Sequence, residues 1–304
     1  MKILITGGPG QDAYYLAYKL REKHEVTVLF RSNYLPAHWN EIIPNIKVCT
    51  GYDMLDKNLF TAKIDVTQYD AIYNMACKSS VGDSFNHPET YMTNNINSHI
   101  NLLEAVRLGG RLDTRIYYPG SSEECPNTGL TKSPYGISKA TIRNINRLYN
   151  ELYKMHICHV FHYNHVSPYQ SNKFLFGKVT KYVADLCNKR VTDKLEVGYL
   201  GDLRTYLHAE DAMNAAMKIM EVPYPATYTV SDNEFIAARH LVNTAFKIRG
   251  YNWEDHVVEN KELKRIGPTM HDILFDDRTT RALGWSPSWT LEEILDEAIE
   301  HNAV

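Results

Sequence analysis

A doubly wound α/β fold, in which a parallel sheet carries helices on both faces and a smaller α/β region is attached, is what this sequence predicts. Three observations predict it. In the first half of the chain short apolar runs alternate with longer mixed segments, the pattern of successive βαβ units. A group of small residues stands between the first apolar run and the first helical periodicity. The alternation then breaks off after Tyr163, where a second region begins.

The candidate strands are KILIT (2–6), EVTVLF (25–30), IKVCT (46–50), DAIYNMA (70–76), RIYYPG (115–120) and HICHVFHY (156–163). They are short and rich in β-branched or aromatic residues. Helical periodicity, with apolar residues recurring every three or four positions, is clearest at QDAYYLAYKLREK, at NNINSHINLLEAVRL and from Pro134 through Lys154. Beyond Tyr163, SPYQSNKF reads as a loop, FLFGKVTKYVADLCNK as a helix, and two short strand-like pieces surround VGYLGDLRTYL. ATYTVSD is expected to return a strand to the main sheet, and TLEEILDEAIEHN to close the chain as a helix. The predicted division is a dinucleotide-binding domain over 1–163 plus about 206–231, and a substrate-binding region over 164–205 plus 232–304.

With 304 residues and 44% apolar content the chain can bury a large α/β core. A net charge of -3 shows no basic excess, so nucleic acid is not an expected partner. Five scattered cysteines, without CxxC or zinc-like Cys/His spacing, point to free thiols in a reducing compartment and to no metal site. No secretory leader is recognised and no run nears ~18 apolar residues. A soluble cytoplasmic protein without membrane contact is expected.

ITGGPGQDAYYLAYKL sets Gly7, Gly10 and Ala13 at GxxGxxA spacing after a strand, with Gln11 and Asp12 opening the helix. Small residues there allow a tight turn and close approach of a pyrophosphate, and a helix N-terminus favours the anion. In that context a Rossmann-like dinucleotide site is predicted over a plain glycine turn. At the end of the second strand an acid would bond a ribose 2′-OH, whereas an arginine accommodates a 2′-phosphate. Phe30, Arg31, Ser32 and Asn33 stand there. NADP is therefore favoured over NAD, against the alternative that Arg31 is only a solvated charge. Asp53, after the third strand, suits either an adenine amino group or a turn.

Tyr135 and Lys139 lie at i and i+4, on one face of the helix that begins near Pro134. An ammonium beside a phenol favours the phenolate, and a phenolate can serve as a base on an alcohol. The spacing also occurs at Tyr15/Lys19 and Tyr169/Lys173. Only the Tyr135 pair follows the fifth strand, beyond the serine-rich turn SSEEC that carries Ser121 and Glu123.

TGGPGQDA, YNMACKSSVGDSF, NLLEAV, the serine turn and YGISK follow one another in an order that resembles the extended short-chain dehydrogenase/reductase (NAD-dependent epimerase/dehydratase) superfamily. GQD, SSVGDSF, SSE, NHVSP and LGDLRTYLHAED most resemble its GDP-mannose 4,6-dehydratase family, and PTMHDILFDD and LGWSPSWTLEEIL carry the likeness almost to the end. The resemblance implies an NADP-dependent lyase that turns GDP-mannose or a related GDP-linked hexose into its 4-keto-6-deoxy form. It implies catalytic roles for Ser121, Glu123, Tyr135 and Lys139. Tyr135 would act as base at the sugar C4 hydroxyl, Ser121 would bond the C4 oxygen, and Lys139 would hold the ribose and depress the tyrosine pKa. Glu123 would remove the C5 proton and protonate the departing C6 hydroxyl. It extends cofactor contacts from Gly7, Gly10, Gln11, Asp12, Arg31 and Asp53 to Met54 and Ala76. Substrate contacts would fall on Ser80, Val81, Asn164, Lys178 and Arg204, with Arg204 on the nucleotide diphosphate.

The bland alternatives are a solvated or capping Glu123, an exposed helical Lys178 and a strand-ending turn at NHVSP. The chain departs from the family pattern at Tyr169 and Gln170, which replace a pair of arginines. It also has one arginine after the second strand, and Glu124, Cys125 and Pro126 where the family has Leu-Tyr-Gly. A homodimer or homotetramer is expected. The runner-up activity is a GDP-sugar epimerase or 4-reductase that leaves Glu123 idle. Behind it stands a cofactor-sensing protein without turnover.

Overall fold

A computed structural model describes residues 1–125, 128–260, 262 and 276–303. Along the chain run β1 (Lys2–Thr6), α1 (Gln11–Leu20), β2 (Glu25–Leu29), β3 (Lys47–Cys49), β4 (Ala71–Asn74), α2 (Val81–Asn86), α3 (Pro88–Gly109), β5 (Arg115–Pro119), α4 (Pro134–Tyr153) and β6 (His156–His162). There follow β7 (His165–Val166), α5 (Leu175–Cys187), β8 (Leu195–Val197), β9 (Leu203–Arg204), β10 (Leu207–His208), α6 (Ala209–Ile219), β11 (Thr227–Val230), β12 (Ile236–Ala237), α7 (Ala238–Lys247), β13 (Val257–Glu259), α8 (Arg278–Arg281) and α9 (Leu291–Ala303).

Among the described residues one sheet has seven strands, ordered β11-β6-β5-β4-β1-β2-β3, every pair parallel. The order reverses between β1 and β4, the switch point where doubly wound sheets bind ligands at the carboxyl ends of their strands. The strands read as apolar runs because both faces are covered. Ile3, Leu4, Ile5, Val28, Ile72, Ile116 and Ile157 are all buried, each contributing about 1.5–3 kcal/mol. Capping sets the helix starts beside the strand ends. Ser80 accepts from Asp83 N at 3.2 Å at the head of α2. Ser133 accepts from Gly136 N at 3.0 Å ahead of Pro134, which begins α4 without an N–H to satisfy.

Chain contacts divide the molecule into two units. The first holds Met1–His162, Met213–Val230 and, from Gly267–Trp285, the described residues 276–285; the second holds Tyr163–Ala212, Ser231–Ile266 and Ser286–Val304. These bounds differ from the expected division by single residues at Tyr163 and Ser231 and by two longer stretches. Residues 206–212 fall in the second unit because β10 pairs with β7 and Asp211 accepts from Ser288 N at 2.7 Å. Residues 276–285 fall in the first because Thr280 Oγ1 donates to Thr229 O on β11 at 2.5 Å. Most of PTMHDILFDD, and Pro126, lie outside the described residues. The second unit has its own core, where Val179, Val183, Leu241, Phe246, Leu295 and Ile299 of α5, α7 and α9 meet.

The first unit also buries polar side chains. Parallel register sets Thr6 beside Asn74, and its hydroxyl donates to Asn74 Oδ1 at 2.7 Å. His99 of α3 is wholly buried between Asn74 at 2.8 Å and Asn146 at 2.6 Å. Burial pushes its imidazole down to about 3. An unfolded chain takes up that proton near the ordinary value of 6.5. The stabilisation is therefore complete above that value and lost as pH falls from it toward 3. Urea titrations are expected to show the wild type losing on the order of a few kcal/mol across that window. His99→Gln is expected to flatten the slope.

Candidate active site

The turn after β1 has the shape a dinucleotide requires. Gly7 has φ +78°, and a Cβ there would lie 2.8 Å from the Met75 carbonyl carbon. Gly10 caps α1 with its N–H on Gly7 O at 3.0 Å. Gln11 and Asp12 occupy the first turn of α1, and Ala13 is buried beneath it. This cradle of backbone at a helix N-terminus fits a pyrophosphate. Arg31 is exposed just past β2. Asp53 is exposed, and its Oδ1 accepts from Leu55 N at 3.0 Å, the turn-forming alternative. Met54 packs its side chain into the core. Ala76, past the end of β4, donates its N–H to Thr6 Oγ1 at 3.0 Å. Val81 is buried against Tyr91 and Tyr135, so it supports the phenol while Ser80 is occupied in capping α2.

At the end of β5 the chain turns through one short 3-10 stretch, Ser122–Glu124, with Ser121 as its N-cap. Ser121 Oγ accepts from Glu123 N at 3.2 Å and hydrogen-bonds the Tyr135 phenol. Glu123 is half-buried, with one carboxylate oxygen sheltered from solvent, and its charge acts on Tyr135. It is not turned into bulk water. Gly136 permits this arrangement, since a Cβ there would lie 2.4 Å from Glu123 O. A hydroxyl, a carboxylate and a phenol are thus brought together between β5 and the head of α4.

Lys139 completes the group. It is 1% exposed, and its Nζ donates to Pro119 O and lies 3.6 Å from Cys77 Sγ. The same ammonium sits 4.6 Å from the Tyr118 ring centre and 5.7 Å from that of Tyr135. Tyr135 is raised well above an ordinary phenol, chiefly by burial and next by the Cys77 thiol, while the Ser121 hydrogen bond pulls it down. Desolvation is the largest influence on the phenol. Lys139 is held as a backbone-bonded donor facing the β4–β5 strand ends.

The sequence reading overlooked Cys77, Asn95 and the Glu124–His159 pair. Asn95 Nδ2 donates to Ser138 Oγ at 3.1 Å and to Lys78 O at 3.1 Å, tying the loop after β4 to α4. Its spacing in α3, four residues before His99, was the available signal. Cys77 was visible only as the residue three beyond a strand end.

The remaining predicted residues belong to the second unit. Arg204 is half-buried; its Nη2 pairs with Asp202 at 3.1 Å and its Nη1 donates to Leu203 O at 2.7 Å. Asn164 is exposed, and its carbonyl accepts from Leu207 N at 3.2 Å. Lys178 is an exposed helical lysine whose Nζ donates to Glu196 O at 2.6 Å. Among the described residues no cluster of His, Cys, Asp and Glu is placed to hold a metal ion, and no helix is long and apolar enough to cross a membrane.

A parallel sheet in this order, a glycine turn after β1 and a Tyr-Lys pair opening the helix after β5 define an extended short-chain dehydrogenase/reductase. Residues 4–298 match the family model described as GDP-mannose 4,6 dehydratase. The chain belongs to that family. GDP-mannose 4,6 dehydratase 1 of Arabidopsis thaliana is 29% identical over 325 residues, covering 98% of this chain and 89% of the relative. Among solved structures, the dTDP-glucose 4,6-dehydratase DesIV of Streptomyces venezuelae, with NAD and TYD bound, has a TM-score of 0.83 at 20% identity and covers 99% of this chain and 96% of that one. RMD of Pseudomonas aeruginosa, complexed with NADPH, has a TM-score of 0.79 at 19% identity and covers 99% and 98%.

Proposed function

We propose that the protein is an NADP-dependent sugar-nucleotide 4,6-dehydratase acting on GDP-mannose or a related GDP-hexose. The observation that carries this reading is the convergence of Ser121, Glu123 and Tyr135. A simple oxidation or reduction at C4 uses the phenol and the hydroxyl; elimination also needs a carboxylate. A bound nicotinamide supplies the chemistry of taking a hydride from C4 and giving it back at C6. The protein's own groups move the protons. Tyr135 takes the proton of the C4 hydroxyl while Ser121 bonds the same oxygen. The resulting ketone acidifies C5–H, and Glu123 receives that proton, leaving a C4–C5 enolate. Glu123 then protonates the C6 hydroxyl, which leaves as water as the C5–C6 double bond forms, and the proton C5 regains when hydride reaches C6 balances the one Tyr135 took from the C4 hydroxyl. The products are a 4-keto-6-deoxyhexose and one water, with no net oxidation of the sugar nucleotide.

Gly7, Gly10, Gln11, Asp12, Asp53, Met54 and Ala76 would hold the dinucleotide, with Arg31 on its 2′-phosphate. Lys139 would bond the nicotinamide ribose. Ser80, Val81, Asn164, Lys178 and Arg204 are assigned to the sugar nucleotide, Arg204 as its diphosphate ligand. A charged hydrogen bond is worth about 1.5–3 kcal/mol. Arg31→Ala is therefore expected to weaken NADP by roughly 10- to 100-fold in calorimetric titration while leaving NAD nearly unchanged. Equal losses for both dinucleotides would remove Arg31 from the 2′-phosphate. The reaction itself is tested by mixing the purified protein with GDP-mannose and NADP. Formation of a 4-keto-6-deoxy product without net NADPH consumption supports the dehydratase; stoichiometric consumption of NADPH would make it a reductase. We assign it to the cytoplasm, as a homodimer or homotetramer.

A further inference from the structure

We propose that Glu124, oriented by His159, is a positioning residue for the Ser121–Glu123 turn, and that both stand at the end of a one-directional hydrogen-bond array that starts at the ends of β1 and β4. The proposal rests on the dehydratase reading for what is being positioned; the array itself stands on geometry.

The array can be followed bond by bond. Ala76 N donates to Thr6 Oγ1 at 3.0 Å, and Thr6 Oγ1 donates to Asn74 Oδ1 at 2.7 Å. An amide whose oxygen is taken can only donate from its other end, so Asn74 Nδ2 gives a proton to His99 Nδ1 at 2.8 Å. His99 is neutral, so its proton is on Nε2, which donates to Asn146 Oδ1 at 2.6 Å. The same logic turns Asn146 Nδ2 toward His159 Nδ1 at 3.2 Å. It leaves the His159 proton on Nε2, aimed at Glu124 Oε1 at 2.9 Å. Glu124 Oε1 also accepts from Ser121 N at 2.9 Å, and its Oε2 lies 3.6 Å from Arg143 Nε. In each bond of the series a donor meets an acceptor, both imidazoles carry the Nε2–H tautomer, and the series terminates on a group that only accepts.

Two features set this apart from ordinary turn capping. A capping glutamate is normally bathed in water, whereas Glu124 is wholly buried, a costly place for a carboxylate unless it is needed there. Gly120, just before the turn, has room for no side chain. A Cβ there would lie 2.4 Å from His159 Nε2 and 2.5 Å from Glu124 Oε1. The chain leaves that space to the imidazole–carboxylate pair. Because Glu124 grips the backbone N–H of Ser121, it fixes the residue whose hydroxyl bonds Tyr135 and whose turn carries Glu123.

The test uses the full chain and two substitutions. In Glu124→Gln the amide oxygen can still accept from both Ser121 and His159; in Glu124→Leu it cannot. Histidine ring 15N NMR is expected to show Nε2–H tautomers at His99 and His159 in the wild type and in Glu124→Gln, and loss of the His159 tautomer preference in Glu124→Leu. In GDP-mannose turnover, Glu124→Gln is expected to keep kcat within about threefold. Glu124→Leu is expected to lose kcat by about 100-fold, the scale of a misplaced catalytic group, with KM little changed. Its rate–pH profile is expected to lie at higher pH than that of Glu124→Gln, which likewise removes the Glu124 charge that raises Tyr135, since only in Glu124→Leu does a loosened Ser121 no longer lower Tyr135, whose other neighbours are Cys77, Tyr118, Glu123 and Lys139. A merely structural role would change the folded fraction but not the profile of the folded enzyme. Glu124→Leu with wild-type kcat and profile would overturn the positioning role. So would Glu124→Gln as impaired as Glu124→Leu, because acceptance would then not be what matters. A Glu124→Leu chain that does not fold shifts the comparison to His159→Gln against His159→Leu, with the same expected contrast. Should the wild type turn over no sugar nucleotide, the dehydratase reading and the positioning role both fall; the NMR still reports on the array alone.

Discussion

Glu123→Gln is expected to lose about 100- to 10,000-fold in the rate of 4-keto-6-deoxyhexose formation, the range for removing a positioned acid–base group. The amide keeps the size and the backbone hydrogen bond from Glu123 N to Ser121 Oγ, so folding and NADP binding should be retained. Because C4 oxidation does not use the carboxylate, single-turnover mixing should leave a lasting reduced-cofactor absorbance. In heavy water the substrate should lose its normal deuterium incorporation at C5. A variant that forms product at the wild-type rate would leave Glu123 a half-buried turn residue and hand the reaction to the epimerase or reductase reading.

Tyr135→Phe is the second large loss, again about 100- to 10,000-fold, but with a different signature. Oxidation at C4 should not begin, so no reduced cofactor accumulates, whereas NADP and sugar-nucleotide affinities should change little. The sign of the wild-type pH dependence follows from the environment of the phenol. Burial and the neighbouring Cys77 disfavour the phenolate, and the phenolate is the base, so log kcat should climb with pH through the neutral and mildly alkaline range. Ser121 acts in the opposite direction by hydrogen-bonding the phenol. Ser121→Ala should therefore shift the climbing limb further to alkaline pH as well as slow the reaction. A flat profile in the wild type, with Tyr135→Phe still active, would exclude the phenol as base.

Much of the fold could be read from the chain because its signals are local. Strand runs such as KILIT and RIYYPG are apolar on both faces, and the glycine turn needs no distant partner to be recognised. Tyr135 and Lys139 were equally open to reading, since i and i+4 on a helix share a face wherever that helix packs. What escaped depends on distant partners. Glu123 and Glu124 are neighbours of identical chemistry, and nothing in SSEEC says that one is half-exposed and the other wholly buried. That difference is set by His159, 35 residues away, and by the absent side chain of Gly120. The placement of the Lys139 ammonium escaped for a similar reason. Spacing places the two on one face, but the direction of the ammonium is decided by Pro119 O and Cys77 on neighbouring strand ends. The unit boundaries turned on the two-residue strands β7 and β10, too short to leave a periodic trace.

The contact between α3 and α4 has one more consequence. Asn95 meets Ser138 and His99 meets Asn146 at successive turns of α3, so these helices touch through groups with fixed donor and acceptor ends. Two greasy surfaces can slip past each other by one helical turn and still satisfy themselves; a keyed seam of this kind has a single fit. Since α4 begins with the phenol that starts the chemistry, the register of that seam sets where the reaction begins, some three turns of helix away from the imidazole that fixes it.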